Sequence, residues 1–150
     1  MRGGGPRFLS VEKARPVAEV DTARGSLRIV EPAPGVYYCR VDGSYSKELY
    51  DRGFAAPMTR ELPKHESLSL FVDWWDLMGY DGAVRSAATE WVTEHRGKLQ
   101  VTHIVMRSRL VAMGVNTAAM LLALRGIHLT VSATLPPFES ALEAAIRARS

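Results

Sequence analysis

Leu68-Ser-Leu-Phe-Val-Asp-Trp-Trp-Asp-Leu-Met-Gly-Tyr-Asp-Gly-Ala-Val-Arg85 is the stretch that decides the fold. Residues 68–73 form an apolar run of strand length that ends in acidic residues, two tryptophans and a glycine-bearing turn. From Asp81 the period becomes that of a helix: Val84, Ala87, Ala88, Trp91 and Val92 fall at i, i+3, i+4, i+7 and i+8 on one stripe. A strand that passes through such a junction into a helix is the repeating unit of an open α/β sheet, whose working surface lies beyond the carboxyl ends of the strands. The junction supplies the carboxylates of Asp73, Asp76 and Asp81 without a nucleophile, a phosphate loop or a set of metal ligands, which points to recognition before catalysis.

The same alternation continues downstream. Gly97 ends the helix, residues 101–106 read as a buried strand, and Asn116 or Thr117 can cap a helix carrying Met120, Leu121 and Leu124 before Gly126. Residues 127–131 give another strand, and Pro136-Pro137 opens a last helix with Phe138, Ala141, Leu142, Ala145 and Ile146 inward. The apolar helix stripes, Met120, Leu121 and Leu124 included, are expected to pack on the sheet. Upstream, Leu27, Ile29 and Val30 suggest a strand, residues 32–35 a turn and residues 36–41 a second strand, together a hairpin. Residues 44–56 suit a helix that should break or restart at Pro57, with a second helical piece running to Leu62. Residues 1–25 read as a flexible N-terminal arm that adds an edge strand at residues 8–11. The expectation is a single α/β domain over residues 26–150, with a mixed, mainly parallel sheet of four to five strands packed against about four helices.

A chain of 150 residues with 47% hydrophobic content suits one domain that buries roughly two-thirds of its unfolded surface. Of the net charge of +3, residues 1–25 supply +2, from Arg2, Arg7, Lys13, Arg15 and Arg24 against Glu12, Glu19 and Asp21, so the body is nearly neutral. A dense basic face for nucleic acid is absent from the sequence. Cys39 is the only cysteine, which rules out an internal disulfide and favours a reducing, cytoplasmic setting. Without a long continuous apolar segment, export and a membrane span are not expected.

Several side-chain sets bear on chemistry. Asp73, Asp76 and Asp81 could gather into a metal-assisted enzymatic centre, although Asp73 at a strand end and Asp81 at a helix start also suit capping. His65, His95, His103 and His128 lack a metal-ligand spacing, and Cys39 lacks an activating neighbour, so no metal, cofactor or catalytic residue is expected. Trp74 and Trp75 are adjacent, so in a strand they point to opposite sides and one of them is expected at the surface. Arg107, Ser108 and Arg109 either receive an anion or solvate a loop before the next helix, whose start Gly114 obscures.

The order of elements over residues 26–148 resembles the STAS domain of bacterial anti-sigma-factor antagonists. Residues 105–127, Val-Met-Arg-Ser-Arg-Leu-Val-Ala-Met-Gly-Val-Asn-Thr-Ala-Ala-Met-Leu-Leu-Ala-Leu-Arg-Gly-Ile, look like that family's fourth strand and Leu-rich helix, and residues 137–142 like the start of its final helix. Leu70-Phe-Val-Asp-Trp74 followed by Tyr80-Asp-Gly82 is similar to its third strand and following loop, where signalling members carry an Asp-Ser pair whose phosphorylation releases a partner. Here the loop reads Asp81-Gly82-Ala83, without the phosphoacceptor. The resemblance implies a non-enzymatic cytoplasmic regulatory module that binds a protein, a kinase-like or other regulatory partner, through Trp74, Trp75, Asp76, Tyr80, Asp81 and Arg85. A small-molecule or lipid-binding domain of the same fold is the alternative, and it requires an empty interior. Self-association through an exposed aromatic patch stays open as well.

Overall fold

A computed structural model describes residues 7–150. Its centre is the hairpin of β2 (Gly25–Ala33) and β3 (Val36–Tyr45), paired antiparallel with Leu27 opposite Val41 and Ile29 opposite Cys39. Gly35 takes φ +77 in the connecting turn, where a side chain would be strained, and its N–H donates to Glu31 Oε2 at 2.9 Å. β4 (Leu68–Trp74) then lies parallel to β3, β6 (Leu99–Met106) parallel to β4, and β7 (Thr130–Ser132) parallel to β6. β1 (Arg15–Asp21) pairs antiparallel with β2 at the other edge. After a two-residue turn at Trp75 and Asp76, β5 (Leu77–Tyr80) resumes alongside the far end of β3. The strand order is β1-β2-β3-β4-β6-β7, with β5 on β3: a mixed, mainly parallel seven-stranded sheet in a single α/β domain.

The additional strands are β1 and β5. Residues 15–21 belong to the sheet, and Phe8 and Val11 are buried beneath it, so the described part of the expected arm is a structural edge. In place of an edge strand at residues 8–11 there is a single 3₁₀ turn, Leu9–Val11. The part of the arm at residues 1–6 lies outside the described residues.

α1 (Lys47–Tyr50), a π turn (Asp51–Ala55) and α2 (Ala56–Glu61) run on without the expected break. The Ala56 N–H reaches back to the Asp51 carbonyl, and this wider turn lets Pro57 sit in the first turn of α2, where its missing N–H costs least. α3 (Gly82–Glu94) follows β5, and α4 (Arg109–Ala123) follows β6. Ser108 caps α4 by accepting from the Val111 N–H at 3.3 Å, so the helix starts two turns before Asn116 and contains Gly114. A Cβ at Gly114 would lie 1.9 Å from the Tyr80 hydroxyl; glycine is there to let β5 approach the helix. α5 (Leu135–Arg149) opens with its two prolines in the first turn, as expected.

Strand alternation divides the core in two. Tyr37, Cys39 and Val41 of β3 and Leu68, Leu70, Val72 and Trp74 of β4 join one cluster with residues of α1–α4, while Val36, Tyr38 and Phe71 join Phe138 and Leu142 of α5 in the other. α4 turns Val111, Val115 and Leu122 into the first cluster. Met120, Leu121 and Leu124, expected inside, are 71%, 52% and 85% exposed. The helix is apolar on both faces, so periodicity alone did not show which face packs inward.

Arg15 ties β1 to its neighbours by bonding Glu31 of β2 and Glu61 of α2, and Glu61 also accepts from Tyr37 Oη at 2.7 Å and Lys64 Nζ at 2.7 Å. Burial opposes ionisation of Glu61, but the hydrogen bonds from Lys64, Tyr37 and Arg15 outweigh it and hold its pKa at about 2, against 4.5 ordinarily. A depressed carboxyl stabilises the fold above its unfolded pKa and loses that contribution as pH falls. Stability is therefore expected to drop between about pH 5 and pH 2, and Glu61→Gln should flatten that limb in urea denaturation. Phe138→Ala, at a fully buried site, should cost about 3–5 kcal/mol, whereas Leu124→Ala should stay within about 0.5 kcal/mol.

Candidate functional site

The junction after β4 sends its side chains to opposite faces of the sheet. Asp73 is fully buried on the α5 side, where its carboxylate accepts from Arg7 Nε at 2.6 Å, from the Tyr38 hydroxyl and from the Trp75 N–H at 3.0 Å. Burial and the neighbouring Asp73 charge push the Tyr38 hydroxyl well above its ordinary pKa, so it stays a donor. Asp76 pairs with Arg7 at 2.8 Å, Arg40 at 3.4 Å and Arg107 at 2.8 Å. Burial opposes its ionisation, yet the Arg7 hydrogen bond and the charges of Arg7, Arg40 and Arg107 keep its carboxyl below the usual range. Arg107 also lies 5.3 Å from the centre of the half-buried Trp75 ring.

Asp81 is elsewhere: it is exposed, and its Oδ2 accepts from the Lys47 N–H at the start of α1 at 3.1 Å. Among the described residues no three His, Cys, Asp or Glu side chains stand together as metal ligands. Asp73 and Asp76 serve arginines, and Asp81 satisfies a helix amide. His65 meets Glu31 at 2.9 Å, and His103, with its pKa lowered by burial, lies 2.7 Å from Ser132 Oγ beneath α5. Arg107 is taken by Asp76 and Trp75 while Ser108 caps α4, which accounts for two members of the expected anion set.

On the opposite face Trp74, Tyr80 and Arg85 come together around a cavity of about 80 Å³ between the sheet, the α1–α2 segment, α3 and α4. Trp74 is therefore an interior residue, and Trp75 is the more exposed of the pair. An unbroken succession of rings follows the wall: Trp91 to Phe54 at 5.0 Å, Phe54 to Tyr50 at 5.4 Å, Tyr50 to Tyr45 at 5.9 Å, Tyr45 to Trp74 at 5.9 Å and Trp74 to Tyr80 at 6.0 Å between centroids. Ala88 of α3 and Ala118 of α4 also line it, so the space persists where larger side chains would have closed the seam between the helices. Cys39 is part of the wall as a buried thiol whose pKa burial has raised.

Three of the four buried side-chain polar atoms without a hydrogen-bond partner among the described residues belong to residues that line this cavity, Tyr50 Oη, Trp74 Nε1 and Trp91 Nε1, and they lie behind an apolar surface. Buried polar groups are ordinarily satisfied, and an orphan costs about 1–3 kcal/mol. Among the described residues Arg85, exposed at the rim, is the only formally charged residue of the wall, and none of those lining it is a carboxylate. Tyr45, Tyr50, Phe54 and Trp91 were absent from the expected set. Trp91 was legible as an inward residue of α3, and Tyr50 and Phe54, four residues apart inside the expected helix at residues 44–56, were not singled out.

Comparison with protein-family models, with curated proteins and with solved structures finds no match for this chain. The two carboxylates at the turn make separable predictions. Asp73→Asn should cost about 1–3 kcal/mol in chemical denaturation, because Arg7, which keeps Asp76, and the buried Tyr38 hydroxyl lose their enclosed charged acceptor. Asp76→Asn, at a half-exposed site, should cost about 1 kcal/mol or less and lose that effect in high salt.

Proposed function

We propose that the protein is a non-catalytic binding module whose cavity receives a small amphipathic molecule: a short alkyl chain or a partly seated ring bearing a carbonyl or carboxylate oxygen. The observation that carries this reading is the set of Tyr50, Trp74 and Trp91, three orphaned buried polar atoms on one apolar wall. Both indoles can only donate, so a ligand that reaches them as the wall adjusts brings an acceptor. Size sets the class. A cavity of about 150 Å³ engineered into another protein binds benzene, and one of about 80 Å³ suits a few carbons. Arg85 at the rim favours an anionic end.

The STAS-like regulatory reading keeps support from the element order, a hairpin followed by strand–helix units on a mainly parallel sheet. Its protein-binding surface would rest on Asp81 and Arg85, the exposed members of the junction set. A ligand in the cavity and a partner at its rim would then meet at Arg85.

Calorimetric titration with hexanoate, 2-hexanone and hexylammonium tests the proposal. Hexanoate should bind saturably at one site and raise Tm, 2-hexanone more weakly, and hexylammonium, which brings no acceptor and meets Arg85, not at all. Arg85→Gln should weaken hexanoate about tenfold with little effect on 2-hexanone. Ala118→Leu, which fills the space, should abolish binding without lowering the Tm of the free protein. Absence of binding by every acceptor-bearing probe at millimolar concentration, or binding unchanged in Ala118→Leu, would overturn the proposal.

A further inference from the structure

The outward face of α4 is apolar and uncovered. Leu110, Met113, Met120, Leu121 and Leu124 are between 52% and 85% exposed, and at 3.6 residues per turn they fall, with Thr117, within roughly 100° of arc. The core-facing Val111, Val115 and Leu122 occupy the other side. Isolated exposed apolar residues are ordinary on a protein surface, but a contiguous strip of five on one helix marks a surface that meets something apolar.

Charge identifies what it meets. Arg109 stands at the start of the strip and Arg125 just beyond its end, and residues 95–138 contain five Lys or Arg and not a single Asp or Glu. Asp76 neutralises Arg107, but Arg109 and Arg125 have no ion-pair partner among the described residues. A second copy is a poor occupant: helices paired antiparallel bring Arg109 toward Arg125, helices paired parallel bring each arginine toward its own equivalent, and neither helix offers a carboxylate in return. A layer of anionic headgroups over hydrocarbon matches both features at once. α4 is 15 residues long, roughly 22 Å, and no helix among the described residues is long and apolar enough to cross a membrane, so the geometry is that of a helix lying in the interface.

We propose that α4 docks the protein on the surface of an anionic bilayer, with Leu110, Met113, Met120, Leu121 and Leu124 entering the boundary between headgroups and acyl chains and Arg109 and Arg125 among the lipid phosphates. This surface is independent of the cavity ligand. The probe is flotation of the whole protein with phosphatidylcholine vesicles, with or without about a third phosphatidylglycerol. The protein should float with the anionic vesicles alone and be released by salt. Arg109→Gln combined with Arg125→Gln should weaken binding about tenfold, and the triple variant Met113→Gln, Leu121→Gln, Leu124→Gln should weaken it further, with Tm and circular dichroism unchanged in both. The proposal is overturned if the wild-type protein floats with neither vesicle, or if the triple variant floats as well as wild type. It is equally overturned if light scattering shows a concentration-dependent dimer, abolished by the triple variant, that leaves no lipid binding.

Discussion

The buried carboxylate of Asp73 is the contact on which the arrangement of this molecule depends. By accepting from Arg7, Tyr38 and the Trp75 N–H, it pins the chain where β4 ends, attaches the residues before β1 to the middle of the sheet, and holds the two-residue turn that lets β5 resume along β3. That turn keeps Trp74 in register with the strand and on the helix-covered face, and brings Tyr80 against Gly114 of α4. Removal of the carboxylate would leave the buried Tyr38 hydroxyl and the Trp75 N–H without their acceptor and Arg7 with Asp76 alone, so the turn is held by electrostatics as well as by turn propensity.

From this geometry follows a division of labour between the faces. The α5 side is closed and its charges are matched: Asp73, Asp76 and their arginines neutralise one another, and Phe71, Phe138 and Leu142 fill the space. The other side is where packing is incomplete, with small residues on α3 and α4 facing a wall of six aromatic rings, three of which carry a donor that lacks an acceptor. An interior that leaves both volume and hydrogen-bonding capacity unused gives up stability that a ligand with the right atoms would restore.

Much of this was legible from residue order. The β2–β3 hairpin, β4, α3 and α5 follow from alternation, helical period and the prolines at residues 136 and 137, and these elements define a mixed, mainly parallel α/β domain. β1 was hidden because Pro16 and scattered charges break its alternation, and β5 because four residues that include a glycine give no period. Pro57 misled because a π turn absorbs it, and the start of α4 was displaced because Gly114 reads as a breaker until Tyr80 is seen against it. Of the six junction residues expected to meet a partner, the fold gathers Trp74, Tyr80 and Arg85 around the cavity, a grouping that depended on which face each occupied. A carboxylate series such as Asp73, Asp76 and Asp81 looks like a cluster only until its counter-charges, 66 to 69 residues away at Arg7 for the first two, are in view.

The three tryptophans make the central claim directly measurable, since Trp74 and Trp91 belong to the cavity wall and Trp75 to the opposite face. Indole Nε1–H resonances followed during a hexanoate titration should show two of the three moving together and saturating, with Trp75, assigned by Trp75→Phe, unmoved. Saturable binding that shifts only Trp75, or that leaves all three indoles in place, would contradict the account of a cavity whose orphaned donors await an acceptor.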